Sequence, residues 1–169
     1  GARFSKEKAE WFNHQYLQRQ SNEELLESFK NLEETKHINL SDEKLLKIIG
    51  LMKERATFVK DIYTQGKFFF EAPAAYDEKA VKKAWNEETA SIMTELSEKL
   101  NTTEFKSEIL KEEIHHFVEE KGLGFGKVMM PLRLALVGEL KGPDVPDLLE
   151  ILGKEESLTR LKLAIEKIK

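Results

Sequence analysis

The sequence contains no cysteine, which excludes disulfides, cysteine-ligated metal sites and thiol catalysis and fits a reducing compartment. No apolar run approaches the ~18 residues that a membrane span needs, and no signal-peptide pattern opens the chain. Glycine and proline are scarce, nine and four in 169 residues, and fall at discrete places, as punctuation between helices does. No stretch alternates apolar and polar residues as a strand would. No repeat period and no low-complexity segment is present. Catalytic signatures are missing too: there is no GxxxxGK[ST] phosphate loop and no dinucleotide fingerprint. Gly122, Gly124 and Gly126 are spaced G-x-G-x-G with no strand before them, which fits a helix-to-helix turn. The chain begins Gly1-Ala2-Arg3-Phe4 without an initiator Met; the expectation is that Gly1 is a tag remnant and the chain a piece of a longer protein.

What is present describes a globular, helical protein, with 40% hydrophobic and 34% charged residues. Ser5 is placed to cap a first helix carrying Trp11, Phe12 and Tyr16, with Trp11 read as core. Ser21 and Glu24 form an S-x-x-E capping box before Leu25, Leu26, Phe29 and Leu32. Ser41 opens a helix with Leu45, Ile48, Ile49 and Met52, and the chain runs through Arg55 to Gly66. Residues 67–76, with Phe68-Phe69-Phe70 and Pro73, break the periodicity and divide the chain into subdomains at 1–70 and 71–169. Beyond this joint Asp77 caps a short helix that includes Trp85, also read as core. Thr103 is expected to cap a helix with Leu110, Ile114 and Phe117 on its apolar stripe. A glycine-bounded helix around Met130–Val137 and two last helices separated by Gly153 complete the chain.

The net charge of −4 is distributed unevenly. Residues 67–120 are net acidic, whereas residues 121–142 carry Lys121, Lys127, Arg133 and Lys141 against Glu139 alone, a local basic island of the kind phosphate binding requires. His115-His116 is the one tempting metal pair, but adjacent helical residues point about 100° apart and cannot both face one ion; no metal is assigned. The carboxylate pairs Glu87-Glu88 and Glu112-Glu113 sit on charged faces with nothing to desolvate them. The chemistry is that of a binding module.

One ordered set of motifs is more specific. Gly126-Lys127-Val128-Met129-Met130-Pro131-Leu132-Arg133-Leu134-Ala135-Leu136-Val137-Gly138, then Gly142-Pro143, then Leu152-Gly153-Lys154-Glu155 and Arg160-Leu161, resembles the G-K-x-x-x-P-L-R-x-A-L-x-G…G-P…L-G-K-E…R-L signature of bacterial-type glutamyl-tRNA synthetases. Lys8, Trp11, Asn13, Tyr16 and Leu17 resemble the K-x-x-W-x-N-x-x-Y-[IL] segment that opens that family's C-terminal anticodon-binding region, and Leu51-Met52 with Arg55 resembles its L-M-x-x-R. The resemblance spans essentially the whole chain. It implies an all-α fold of two stacked helical subdomains that grip the anticodon loop of tRNA(Glu). It also implies a cytoplasmic parent enzyme, glutamate–tRNA ligase of class I, whose separate Rossmann-type catalytic domain uses ATP and Mg²⁺. An H-I-G-H-like sequence and K-M-S-K-S are absent, so this chain is expected to hold no catalytic site and no cofactor, and to bind neither membrane nor DNA.

By the same resemblance Arg55 is expected to read the third anticodon base. A guanidinium fork can distinguish cytosine from the guanine of glutamine anticodons. Arg133 and Leu132, with Gly142, Pro143 and Val145 of the next turn, are the other expected anticodon contacts. His115, Lys127 and Lys141 are supporting ones. His115 stands where some family members carry arginine. Gly142 and Val145 replace residues that vary in the family, so backbone contacts transfer better than side-chain ones. The competing reading is a helical protein-interaction module derived from a synthetase-like domain.

Overall fold

The structure is a computed structural model that describes residues 5–169; the expected tag remnant at Gly1 lies outside the described residues. Every regular element among these residues is helical, and none is long and apolar enough to cross a membrane. The chain divides into two compact units, Gly1–Phe70 and Glu71–Lys169.

The first unit contains α1 (Lys6–Arg19), α2 (Asn22–Lys30), α3 (Asp42–Met52) and α4 (Val59–Gln65), with short 3₁₀ turns between them. Its core is Leu25, Phe29, Ile48, Ile49, Met52 and Ile62, the inward stripes of α2, α3 and α4. Ser21 accepts the Glu24 N–H at 3.1 Å, as a capping box requires, but the Glu24 carboxylate takes up the Ser21 hydroxyl instead of its backbone N–H. Ser5 precedes α1 without a side-chain cap. Trp11 is 58% exposed, contrary to the core position expected for it. The reason is the inward face of α1, which consists of Asn13, His14, Leu17 and Gln18 and attaches largely by hydrogen bonds. The helical repeat then turns Phe12 and Tyr16 outward.

The second unit contains α5 (Glu78–Ala84), α6 (Thr89–Asn101), α7 (Ser107–Lys121), α8 (Phe125–Val137) and α9 (Val145–Lys167), the last interrupted at Gly153 (φ 82°). From Leu134 to Val137 every residue of α8 is buried, so the last turn of this helix is covered all round. Met93, Leu96 and Leu100 of α6 and Leu148, Leu149 and Leu161 of α9 belong to the same core, and α9 packs on α6, α7 and α8. Asp77 caps α5 by accepting the Ala80 N–H at 2.9 Å. Asp77→Ala is expected to cost about 1 kcal/mol in urea denaturation, the usual value of an N-cap.

Two sequence expectations, for Thr103 and Trp85, fail in the second unit. Thr103 does not cap α7; its hydroxyl donates back to the Lys99 carbonyl and closes α6. The first N–H of α7 is instead met from a distance, by the Glu150 carboxylate at 2.6 Å, while the Ser107 hydroxyl donates to Asp147. Pro131 lies inside α8, where it leaves the Lys127 carbonyl without its intrahelical donor. Trp85, expected in the core, is only half-buried.

Candidate nucleic-acid interface

Two sharp backbone reversals bring α7, α8 and the start of α9 around one hollow. At the end of α7, Gly122 is left-handed (φ 62°). Its N–H donates to Glu119 and that of Leu123 to Val118, the paired bonds of a Schellman closure. Leu123 and Gly124 then suffice to start α8. At the other end, Gly138 (φ 87°) terminates α8. The chain crosses back through Gly142 (φ 125°) and begins α9 at Val145, with Pro146 in the first turn, where no N–H is needed.

The resulting cleft has a volume of about 440 Å³. Phe125, Met129 and Arg133 rise into it from successive turns of α8. His115 faces it from α7, and Asp144 and Val145 from the start of α9. Arg133 is the one charged residue of α8 beyond Lys127. Its guanidinium donates to the Pro143 carbonyl at 2.7 Å, fastening the turn before α9 to the helix. The lining mixes Lys111, His115 and Arg133 with Glu108, Asp144 and Asp147. Such mixed charge disfavours a bare phosphate and suits neutral groups with polar edges, such as unpaired bases.

The expected contact residues distribute as follows. His115, Arg133 and Val145 line this cleft, and Pro143 joins it through its bond to Arg133. Val145 is 1% exposed, so it forms the floor and not a reaching contact. Leu132 is 0% exposed, so its side chain is unavailable to RNA and only its backbone is left for the expected contact. It stands about 100° around α8 from Arg133 and turns into the core. The basic island does not form one patch. Lys121 pairs with Glu95 at 2.6 Å, Lys141 is exposed in the turn, and Lys127 borders a separate hollow of about 230 Å³ with Lys82, Lys83 and Trp85. Among the described residues no group of three or more His, Asp or Glu side chains is placed to hold a metal ion.

Arg55, in the first unit, is exposed at the end of a 3₁₀ turn, Lys53–Arg55. This turn is clamped by α1. Gln18 donates to the Lys53 carbonyl at 2.7 Å, His14 Nδ1 to that of Ala56 at 2.7 Å, and Asn13 to that of Thr57. Lys53 in turn donates to the Gln20 carbonyl. Asp61 receives the Thr57 and Phe58 N–H groups from the other side. The clamp was invisible in the sequence because its acceptors are backbone atoms about forty residues from their donors. Phe125 was also missed. Its only signal was an aromatic residue one turn before Met129 and two before Arg133.

A sequence model of the anticodon binding domain matches residues 10–165. The glutamate–tRNA ligase of Christiangramia forsetii is 44% identical over 170 residues, covering 100% of this chain and 34% of that protein. The ligase of Porphyromonas gingivalis is 44% identical over 167 residues, covering 98% and 33%. A crystal structure of the Elizabethkingia meningosepticum glutamate tRNA ligase in complex with its amino acid superposes with a TM-score of 0.95 at 65% identity, over 98% of this chain and 33% of that one. The chain thus spans about a third of the length of the relatives it matches. With this all-helical fold and a match over residues 10–165, the chain belongs to the anticodon binding domain family, in the form found in glutamate–tRNA ligases.

Proposed function

We propose that this chain is the anticodon stem-loop recognition module of a cytoplasmic glutamate–tRNA ligase. It binds tRNA(Glu), while a separate catalytic domain of the longer parent joins glutamate to that tRNA with ATP and Mg²⁺. Units 1–70 and 71–169 are its first and second anticodon-binding subdomains. The observation that carries this reading is the cleft of the second unit, which gathers His115, Arg133 and Val145 from three helices in a chain of this family. Within it Arg133 contributes hydrogen-bond donors to the loop. Gly142 and Pro143 present backbone groups in a turn that Arg133 itself holds in place. Lys127 and Lys141 are exposed and act as phosphate contacts, and His115 is a supporting contact from α7. Arg55 reads the third anticodon base, favouring cytosine over guanine, from a turn held still by Asn13, His14 and Gln18.

Gel shifts of the 169-residue chain with tRNA(Glu) and tRNA(Gln) test the reading. Arg55→Gln is expected to reduce the preference between the two, and Arg133→Ala to weaken both. Each lost base contact should cost on the order of 1–3 kcal/mol, roughly 5- to 150-fold in Kd. Because Arg133 also ties down Pro143, its variant is to be compared at matched thermal stability. An absence of salt-sensitive binding to either tRNA would leave the protein-interaction reading in its place.

A further inference from the structure

Phe125 is the first residue of α8 and is 47% exposed, on the wall of the cleft that holds Arg133. A single exposed aromatic residue needs no explanation by itself. This one, however, is held in a fixed plane. Its ring stacks on the imidazole of His115, with centroids 5.1 Å apart and planes inclined by 23°. The two rings come from different helices and meet because the Schellman closure at Gly122 folds α8 back beside α7. His115 lies against one face of the Phe125 ring, and the residue stays 47% exposed with that neighbour in place. Arg133 lies two turns further along the same helix, with Met129 between. A flat apolar surface on the wall of a cleft that also holds a guanidinium and is lined by both signs of charge fits a planar, uncharged group with polar edges. It does not fit a phosphate, which Glu108, Asp144 and Asp147 would repel.

We propose that Phe125, backed by His115, is the stacking wall of this cleft, against which an unpaired base of the bound loop lies flat. The inference rests on the anticodon reading given above and adds a residue and a role to it. Base–aromatic stacking is tolerant of sequence, because every base has a π face. Phe125 therefore contributes affinity without discrimination, whereas Arg55 contributes discrimination. Phe125 carries no charge, so its loss leaves the number of phosphate contacts and hence the salt dependence unchanged.

The experiment uses the 169-residue chain and a tRNA(Glu) anticodon stem-loop bearing 2-aminopurine at one unpaired loop position at a time. Stacking quenches the fluorescence of this base. The unmodified protein is expected to bind with quenching at one or more positions. Phe125→Ala should raise Kd roughly tenfold, abolish the quenching at saturating protein and leave the salt slope unchanged. Phe125→Tyr should restore both affinity and quenching, and His115→Ala should have a smaller effect of the same kind. The glutamine anticodon stem-loop should lose affinity by the same factor as the glutamate one. Unchanged Kd and quenching in Phe125→Ala, with Arg133→Ala still weakening binding, would overturn the stacking role and leave the anticodon site standing. Failure of the unmodified chain to bind either stem-loop would overturn both.

Discussion

Gly138→Ala is expected to lower the stability of the chain by about 3 kcal/mol or more, against about 1 kcal/mol for Gly122→Ala, measured by urea denaturation. Both glycines end helices in the left-handed region, at φ 87° and 62°, where a Cβ costs roughly 1–2 kcal/mol. They differ in what surrounds them. A Cβ on Gly122 would meet nothing within 4 Å, whereas one on Gly138 would lie 2.8 Å from the Ala75 carbonyl oxygen and 2.8 Å from the Pro73 Cβ. The segment before α5 crosses the end of α8 at this point, and the Asp77 N–H donates to the Gly138 carbonyl at 2.8 Å. The added methyl must push backbone against backbone, which adds the roughly 1–3 kcal/mol of an overpacked site. Equal losses in the two variants would show that the crossing segment moves aside at no cost.

Arg160→Ala is expected to cost about 2–4 kcal/mol by the same measurement. This guanidinium is 2% exposed. It donates to the Leu136 carbonyl and to the Glu156 carboxylate, both at 2.8 Å. Leu136 lies in the last turn of α8, where carbonyls lack intrahelical partners and a cation opposes the negative end of the helix dipole. Removing the side chain orphans a buried acceptor and opens a cavity beside it, two costs that add. Arg160→Lys keeps the charge but not the two-armed donor geometry, so it should recover only part of the loss. Glu156→Gln should cost less than 1 kcal/mol, because the Glu156 side chain is 44% exposed and partly screened. A loss of that small size in Arg160→Ala would mean that α9 seals α8 by apolar packing alone. The terminal R-L motif thus has a structural use distinct from RNA contact.

Helix positions and the family motif were legible in the sequence because they depend on near neighbours. Ser21, Ser41 and Asp77 announce helix starts by accepting the N–H three residues ahead, and the apolar stripes of α2, α3 and α6 repeat with the helical period. The site was only partly legible. Arg133 stood out as a charge within an apolar helix, but Leu132, one residue earlier, has its side chain in the core. A linear motif lists neighbours without saying which way each one faces. The basic island dispersed for the same reason: Lys121 turns to Glu95 and Lys127 to another hollow.

The sequence by itself determined that this chain is all-helical and belongs with the anticodon binding domains of glutamate–tRNA ligases. Both properties follow from local periodicity and from residue order. Only the tertiary structure decided that Glu150 of α9 caps α7, that Asn13, His14 and Gln18 steady the turn of Arg55, that Arg160 closes α8, and that His115 and Phe125 meet as stacked rings in the cleft that Arg133 also lines. These contacts join residues brought together by the fold, and most have a backbone atom as one partner. Backbone atoms are the same in every residue, so no pattern of side chains along the chain could reveal which of them would be met.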